Sequence, residues 1–157
     1  MRVGIGFDAH PFADGRPLKL GGVKIAHPRG LAGHSDGDVL LHAVADAVLG
    51  AAGLGSLGEH FPDGSDTGRG ADSAVLLARA AGLAGDAGFR VGNVDAVVIA
   101  EAPKIAPHAA AVRSRLAEIL GIDAARISVR GTSSNGLGFT GRGDGIAAVA
   151  VALLEEL

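Results

Sequence analysis

The hydrophobic and polar positions divide the chain into short apolar runs, three helical segments and glycine-marked loops. Residues 2–7 are β-prone and lead into a loop bearing Pro11, Gly15 and Pro17. Leu18 to Ile25 reads as a short hairpin turning at Gly21-Gly22. Residues 28–38 form a polar, Gly-bearing loop. Ser35, with Asp38 three positions on, predicts a capping box that opens a helix over about 38–52, ending near Gly53 and Gly55. Residues 54–70 carry Gly, Pro and Asp and read as a loop with room for one short helical turn. Residues 71–87 predict an amphipathic helix, weakened by Gly82 and Gly85 and stopped at Gly88. A Val- and Ile-rich strand is predicted over 91–100, a turn bracketed by Pro103 and Pro107, and a third helix over 108–120 ending at Gly121. Residues 126–130 predict a strand and 131–145 a Gly-rich loop. The apolar run 146–154 is read as a strand for its Val content. The expected fold is a single α/β (α+β) domain over 1–157, a mixed sheet of mostly four strands with helices on one face.

Bulk properties narrow this picture. At 157 residues the chain can build one domain with a sizeable core. The absence of Cys excludes disulfides and thiolate metal sites. A formal charge of −3 argues against a general affinity for nucleic acid. The start Met1-Arg2-Val3-Gly4 lacks the marks of a signal peptide, and no apolar run reaches membrane-spanning length. The expectation is a cytoplasmic protein with neither nucleic-acid nor membrane partners. Hydrophobic content is 48%, with five Phe and no Trp or Tyr, so Ala, Val, Leu and Ile must build the core. So apolar a small domain leans towards burying surface against copies of itself.

The candidate chemistry begins at Asp8 and His10. Two residues apart on a strand, they project from the same face, a carboxylate beside an imidazole. His42 is a third candidate, with His34 and His60 as alternatives. Asp, His and His make a zinc site with one position open, the arrangement of catalytic zinc. Asp38, His42 and Asp46 fall at i, i+4 and i+8 on one helix face among apolar neighbours, which marks Asp38 and Asp46 as groups backing a ligand. The loop from His34 through Ser35 to Asp38 suits an anion or sugar hydroxyls, and equally an ordinary helix cap. Residues 136–141 spell G-x-G-x-x-G but lie too near the C-terminus for a dinucleotide fold. With Thr132, Ser133 and Ser134 before it and Arg142 after it, that loop suits phosphate oxygens. The rigid turn over 100–107 can read a base edge with its backbone and meet a phosphate with Lys104; an ordinary surface turn would look the same.

Five segments in order, GFDAHPF at 6–12, GLAGHSDGDVLLHAVADAVLGAAGLGSLGEHFPD at 30–63, GADS at 70–73, GNVDAVVIAEAPKIAPH at 92–108 and GLGFTGRGDGIAA at 136–148, carry a resemblance over nearly the whole chain. The chain resembles the 2-C-methyl-D-erythritol 2,4-cyclodiphosphate synthase family. The resemblance implies a homotrimer with active sites between subunits and one Zn²⁺ per subunit, on Asp8, His10 and His42. It implies an intramolecular phosphoryl transfer that releases CMP, with His34 and Ser133 stabilising the transition state. Ser35, Ser56, Leu57, Gly58, Phe61, Pro62, Asp63, Gly64 and Ser65 match positions that contact methylerythritol. Ala100, Glu101, Ala102, Pro103, Lys104, Ile105 and Ala106, with Thr132, match a cytidine pocket contributed by a neighbouring subunit. Phe139 and Arg142 match positions lining the ligand pocket and the trimer axis, where some members bind an isoprenoid diphosphate.

Three positions depart from the family pattern. Ser133 stands for the usual Thr and keeps the hydroxyl. Ser56 stands for Asp, a weaker partner for sugar hydroxyls. Asn135 stands for the Glu that helps hold Mg²⁺ or Mn²⁺ between the α- and β-phosphates, and a neutral amide oxygen is a poorer ligand for a hard cation. Two other readings remain at this stage: a zinc phosphohydrolase with Asp46 or Asp38 as general base, and a non-catalytic trimer that binds isoprenoid diphosphates.

Overall fold

A computed structural model describes residues 1–62 and 72–157. In chain order the strands are β1 (Arg2–Ala13), β2 (Leu18–Leu20), β3 (Val23–Ile25), β4 (Gly30–Leu31), β5 (Phe89–Ile99), β6 (Ile127–Thr132) and β7 (Gly145–Glu156). The helices are α1 (Val39–Ala52), α2 (Leu57–His60), α3 (Ser73–Asp86), α4 (Ala109–Leu120) and α5 (Gly138–Gly141). Among the described residues the main sheet has five strands in the order β4-β1-β7-β5-β6, and β2 and β3 pair separately as a hairpin. β7 is antiparallel to both β1 and β5, while β5 and β6 are parallel. β1, β5 and β6 therefore end at the same edge of the sheet. There His10 lies opposite Ile146 and Ile99 opposite Ala147, so one strand separates the ends of β1 and β5.

The expected count of four strands is corrected to five. The addition, β4, has two residues, which pair with Phe12 and Ala13 and are too few to leave a periodic signal. β1 also runs well past residue 7. It passes Pro11, which has no N–H to give, and the Pro11 carbonyl accepts from the Ala32 amide at 2.9 Å. The segment 131–145 is likewise not all loop, since β6 reaches Thr132 and α5 occupies one turn.

The hairpin and the central helix fall where the pattern puts them, but the expected Ser35 cap is overturned. Asp38 is the N-cap of α1 and accepts from the Leu41 amide at 3.0 Å, while the Ser35 hydroxyl turns to His42. The same buried carboxylate accepts from Gly21 N at 2.9 Å and Gly22 N at 2.7 Å, so one side chain pins the hairpin turn to the start of α1. Burial pushes the Asp38 carboxyl up to about 6, with the amides of Gly22, Leu41 and Gly21 limiting the rise. Gly53 closes α1 in the left-handed region at φ 74°. α3 starts behind Asp72, whose side chain accepts from Ala74 N; Ala71, the expected first residue, lies outside the described residues.

The core lies between α1 and the sheet. Val94, Ala96 and Val98 of β5 and Ala148, Ala150 and Ala152 of β7 are buried together with the apolar side of α1. α1 crosses β1 at backbone contact. A Cβ on Gly6 would lie 1.9 Å from the Ala43 carbonyl oxygen, and one on Gly4 would lie 2.1 Å from that of Ala47. Only glycine allows this approach. The alternate residues of β1 point away from α1 and lie bare: Val3 is 68% exposed, Ile5 70% and Phe7 59%. Gly6→Ala must push α1 off β1 or distort both, and should cost about 3 kcal/mol. Gly82→Ala, in the interior of α3 with open space around it, should instead stabilise by about 0.5–1 kcal/mol. Urea unfolding checks both; a wild-type midpoint for Gly6→Ala would contradict the close contact.

Candidate active site

Period-two alternation along β1 puts Asp8 and His10 on the face that carries Gly4 and Gly6, towards α1. His42 sits in the first turn of α1 and completes a group of three. Asp8 Oδ2 is 2.7 Å from His10 Nε2 and 3.1 Å from His42 Nδ1, and the two ring nitrogens are 3.3 Å apart. Tetrahedral zinc with ligand bonds of about 2.0–2.2 Å spaces its donors by about 3.3–3.6 Å. The three atoms thus need only slight spreading to fit, and two nitrogens with one carboxylate oxygen suit that ion. Burial alone would raise the Asp8 carboxyl, but hydrogen bonds from His10 and His42 and their electrostatic attraction outweigh it and hold it at about 2. Asp8 is therefore anionic at neutral pH. Burial would lower His42, yet its hydrogen bond to Asp8 and the carboxylates of Asp8, Asp38 and Asp36 raise it above the ordinary value.

The three donors open into a cavity of about 430 Å³ that is also lined by His34, Ser35, Asp46, Leu57, Gly58 and Phe61. Asp46 Oδ1 accepts from the Leu57 amide at 2.6 Å and so fixes the turn that presents Leu57 and Gly58. Ser56 caps that turn from outside the cavity lining, with its amide bonded to Glu59 Oε2 at 2.7 Å. Of the alternative ligands, His60 is directed to the Leu54 carbonyl at 2.7 Å, and His34 lines the cavity without joining the triad. The supporting role expected of Asp38 and Asp46 takes another form, because both bind backbone amides and neither bonds a triad side chain. Full burial of Asp38 also removes it as a general base facing the cavity. Pro62 is exposed at the end of the described segment, and Asp63, Gly64 and Ser65 lie outside the described residues.

The remaining expected residues form a second cluster at the ends of β5 and β6. None of 100–106 or 132–135 lines the first cavity. The parallel pairing sets Ile99 beside Thr132, and Ala100 N donates to the Thr132 carbonyl at 3.0 Å. Glu101 Oε1 accepts from Gly136 N at 3.2 Å and ties the turn to the Gly-rich loop. Ile105 is buried against Gly131, Ala102-Pro103 is cis, and Glu101, Ala106 and Pro103 are at least partly exposed around Lys104. Asn135 is left-handed at φ 55°, a conformation that Asn tolerates, and its backbone N–H donates to Ser133 Oγ at 3.2 Å. Ser134 Oγ bonds Thr140 Oγ1 at 2.7 Å, so it braces the loop from within. Phe139 lines a shallow surface depression together with Ala9, His10 and Pro11, and Arg142 pairs with Asp144 at 3.0 Å.

Sequence reasoning missed Asp36 and Ser73. Ser73, the first residue of α3, is buried and reaches His42 Nε2 at 2.9 Å. Its hydroxyl also contacts Asp36 Oδ1 closely, and its amide donates to Asp36 Oδ2 at 3.1 Å. The short matched segment at 70–73 was the one available signal, and no periodicity links residue 73 to residue 42.

The profile of the YgbB family matches residues 1–155. A relative from Marinobacter nauticus named 2-C-methyl-D-erythritol 2,4-cyclodiphosphate synthase is 56% identical over 157 residues, covering 100% of this chain and 99% of its own. Among solved structures, the bifunctional IspDF of Campylobacter jejuni superposes with a TM-score of 0.95 at 42% identity, covering 99% of this chain but 42% of that longer one. A 2C-methyl-D-erythritol-2,4-cyclodiphosphate synthase in its CDP-bound form superposes with a TM-score of 0.90 at 37% identity, covering 98% of this chain and 100% of that one. With matching sequence along its length and matching backbone throughout, the chain belongs to the YgbB family.

Proposed function

We propose that this chain converts 4-diphosphocytidyl-2-C-methyl-D-erythritol 2-phosphate into 2-C-methyl-D-erythritol 2,4-cyclodiphosphate and CMP, as a phosphorus–oxygen lyase of the non-mevalonate isoprenoid pathway. The observation that carries the reading is the convergence of Asp8, His10 and His42 on one cavity in a chain of this family. The 2-phosphate oxygen attacks the β-phosphorus, the bond from that phosphorus to the CMP oxygen breaks, and the ring closes. Such a transfer needs positioning and charge neutralisation more than covalent help. Zn²⁺, one per subunit on Asp8, His10 and His42, supplies Lewis-acid polarisation of the phosphoryl group when bound. His34 and Ser35 line the cavity as donors towards phosphate oxygens. Leu57, Gly58 and Phe61 wall the space for the methylerythritol carbons, and the family pattern assigns Ser56 and residues 62–65 to the same part of the substrate.

The second cluster supports a site finished by a neighbouring subunit. Residues 100–106 and Thr132 would take the cytidine, and Ser133 would approach the transition state opposite His34. A Mg²⁺ or Mn²⁺ between the α- and β-phosphates would find at Asn135 a neutral and weaker ligand than Glu. The bare apolar strand face of Val3, Ile5, Phe7 and Val151 supports assembly as a homotrimer. Phe139 and Arg142 would then face its axis, where an isoprenoid diphosphate finds an aromatic and a guanidinium. No helix among the described residues is long and apolar enough to cross a membrane.

A phosphorus NMR assay with Zn²⁺ and Mg²⁺ tests the reaction. Cyclic diphosphate with one CMP per turnover is expected. A linear diphosphate would mark a hydrolase, and unchanged substrate from a folded, zinc-loaded protein a binding protein. His42→Ala should lose zinc and all turnover; a folded, zinc-free variant with near-normal activity would refute the assignment. Asn135→Glu should lower the Mg²⁺ concentration needed for half-maximal rate, at a loop-strain cost of about 1 kcal/mol. An unchanged Mg²⁺ dependence would remove Asn135 from the site.

A further inference from the structure

His42 has two ring nitrogens, and the structure gives each a different set of neighbours. Nδ1 faces Asp8 and His10. Nε2 faces away from them, 2.9 Å from Ser73 Oγ and 3.0 Å from Ser35 Oγ. A neutral imidazole has one N–H, and the nitrogen that binds a metal must be the one without it. Whatever fixes the proton on Nε2 therefore prepares Nδ1 as a ligand.

The neighbours of Ser73 decide the direction of that bond. Asp36 is anchored by the Asp38 amide at 3.1 Å and the Ser73 amide at 3.1 Å, with Lys19 Nζ 3.9 Å from its second oxygen. An ionised carboxylate only accepts hydrogen bonds. The Ser73 hydroxyl, in close contact with Asp36 Oδ1, must donate its single proton there. Its oxygen is left as an acceptor, and His42 Nε2–H at 2.9 Å is the nearer group it can accept from, with Ser35 Oγ farther off at 3.4 Å. Ser35 differs. It lines the cavity, whereas Ser73, buried at the start of α3, does not.

We propose that Ser73 is a positioning residue: a chain from Asp36 through the Ser73 hydroxyl holds His42 in the Nε2–H tautomer, presents Nδ1 to the metal, and leaves the Ser35 hydroxyl proton free to point into the cavity at a phosphate oxygen. Partners of this kind, behind a ligating histidine, orient the ring and strengthen the ligand. The inference rests on the proposed zinc site, and it divides two serines of nearly equal distance into two functions. Ser73 sets metal affinity, and Ser35 serves the substrate.

The test measures zinc affinity by chelator competition on the full chain, for wild type, Ser73→Ala, Ser73→Thr and Ser35→Ala, with folding followed by circular dichroism. Ser73→Ala should weaken zinc by about 10- to 100-fold. Ser73→Thr, which keeps the hydroxyl, should recover most of that loss. Ser35→Ala should hold zinc within about threefold of wild type while turnover falls. Wild-type affinity in Ser73→Ala, or an equal loss in Ser35→Ala, would overturn the assignment. Should Ser73→Ala not fold, nitrogen-15 NMR of zinc-loaded wild type decides: with Nδ1 on the metal, the Nε2–H of His42 is expected to be hydrogen-bonded and protected from exchange, and an unprotected Nε2–H would overturn the chain. A wild-type protein that takes up no zinc would sink the zinc reading itself, a result distinct from a zinc-binding protein indifferent to Ser73.

Discussion

Everything at the site depends on how near α1 can come to β1. Gly4 and Gly6 offer no side chain on the face that meets the helix, and Ala43 and Ala47 put their carbonyls where a Cβ would be. Helix and strand touch through their backbones, closer than interlocking side chains would permit. The next two residues on that face of β1 are Asp8 and His10, and the residue beside Ala43 is His42. The same approach that packs the core brings the three donors within ligand distance of one another. A strand spaced from the helix by valines would carry the same three side chains to positions too far apart for one ion.

A second constraint acts at the start of α1. Asp38 is buried without a cation, and it is satisfied by three backbone amides from two elements. The hairpin of β2 and β3 thereby becomes part of the wall behind the site rather than a free flap. Four residues on, His42 inherits a fixed helix start on one side and, through Ser73 and Asp36, the start of α3 on the other. Two helix N-termini meet around one imidazole, so the cavity has a floor with few independent motions.

The sequence made legible whatever depends on short-range pattern. Alternation in β1 put Asp8 and His10 together, and the apolar run over 39–52 with its closing glycine gave α1 and therefore His42. Gly21-Gly22 located the hairpin. Long-range matters were not legible. Ser35 with Asp38 satisfies the local rule for a capping box, but the carboxylate serves the hairpin as well as the helix, and the hydroxyl sits beside His42 at the cavity instead. β4 is too short for a period, and the contact of Ser73 with His42 spans 31 positions with nothing local to announce it. The G-x-G-x-x-G stretch was correctly kept from a dinucleotide fold on position alone, yet its one helical turn left no signal. The residues expected to bind metal and methylerythritol and those expected at a neighbouring subunit's cytidine pocket lie in two groups at the same end of the sheet. The family pattern names those residues together, and fewer than half of them line the cavity of a single chain.

In the homotrimer proposed above, the bare strand face would bear on the chain's life before assembly. Folding of one chain is first order, but covering Val3, Ile5 and Phe7 with other copies would take encounters between molecules and depend on concentration. Newly folded chains would then carry a water-exposed β surface for a time set by how many siblings are near. Dilution would lengthen that interval, and crowding with unrelated proteins would offer the same surface to the wrong neighbours. Correct pairing and coagulation would compete for one patch, and the rate of synthesis, as much as the stability of the fold, would govern which of them wins.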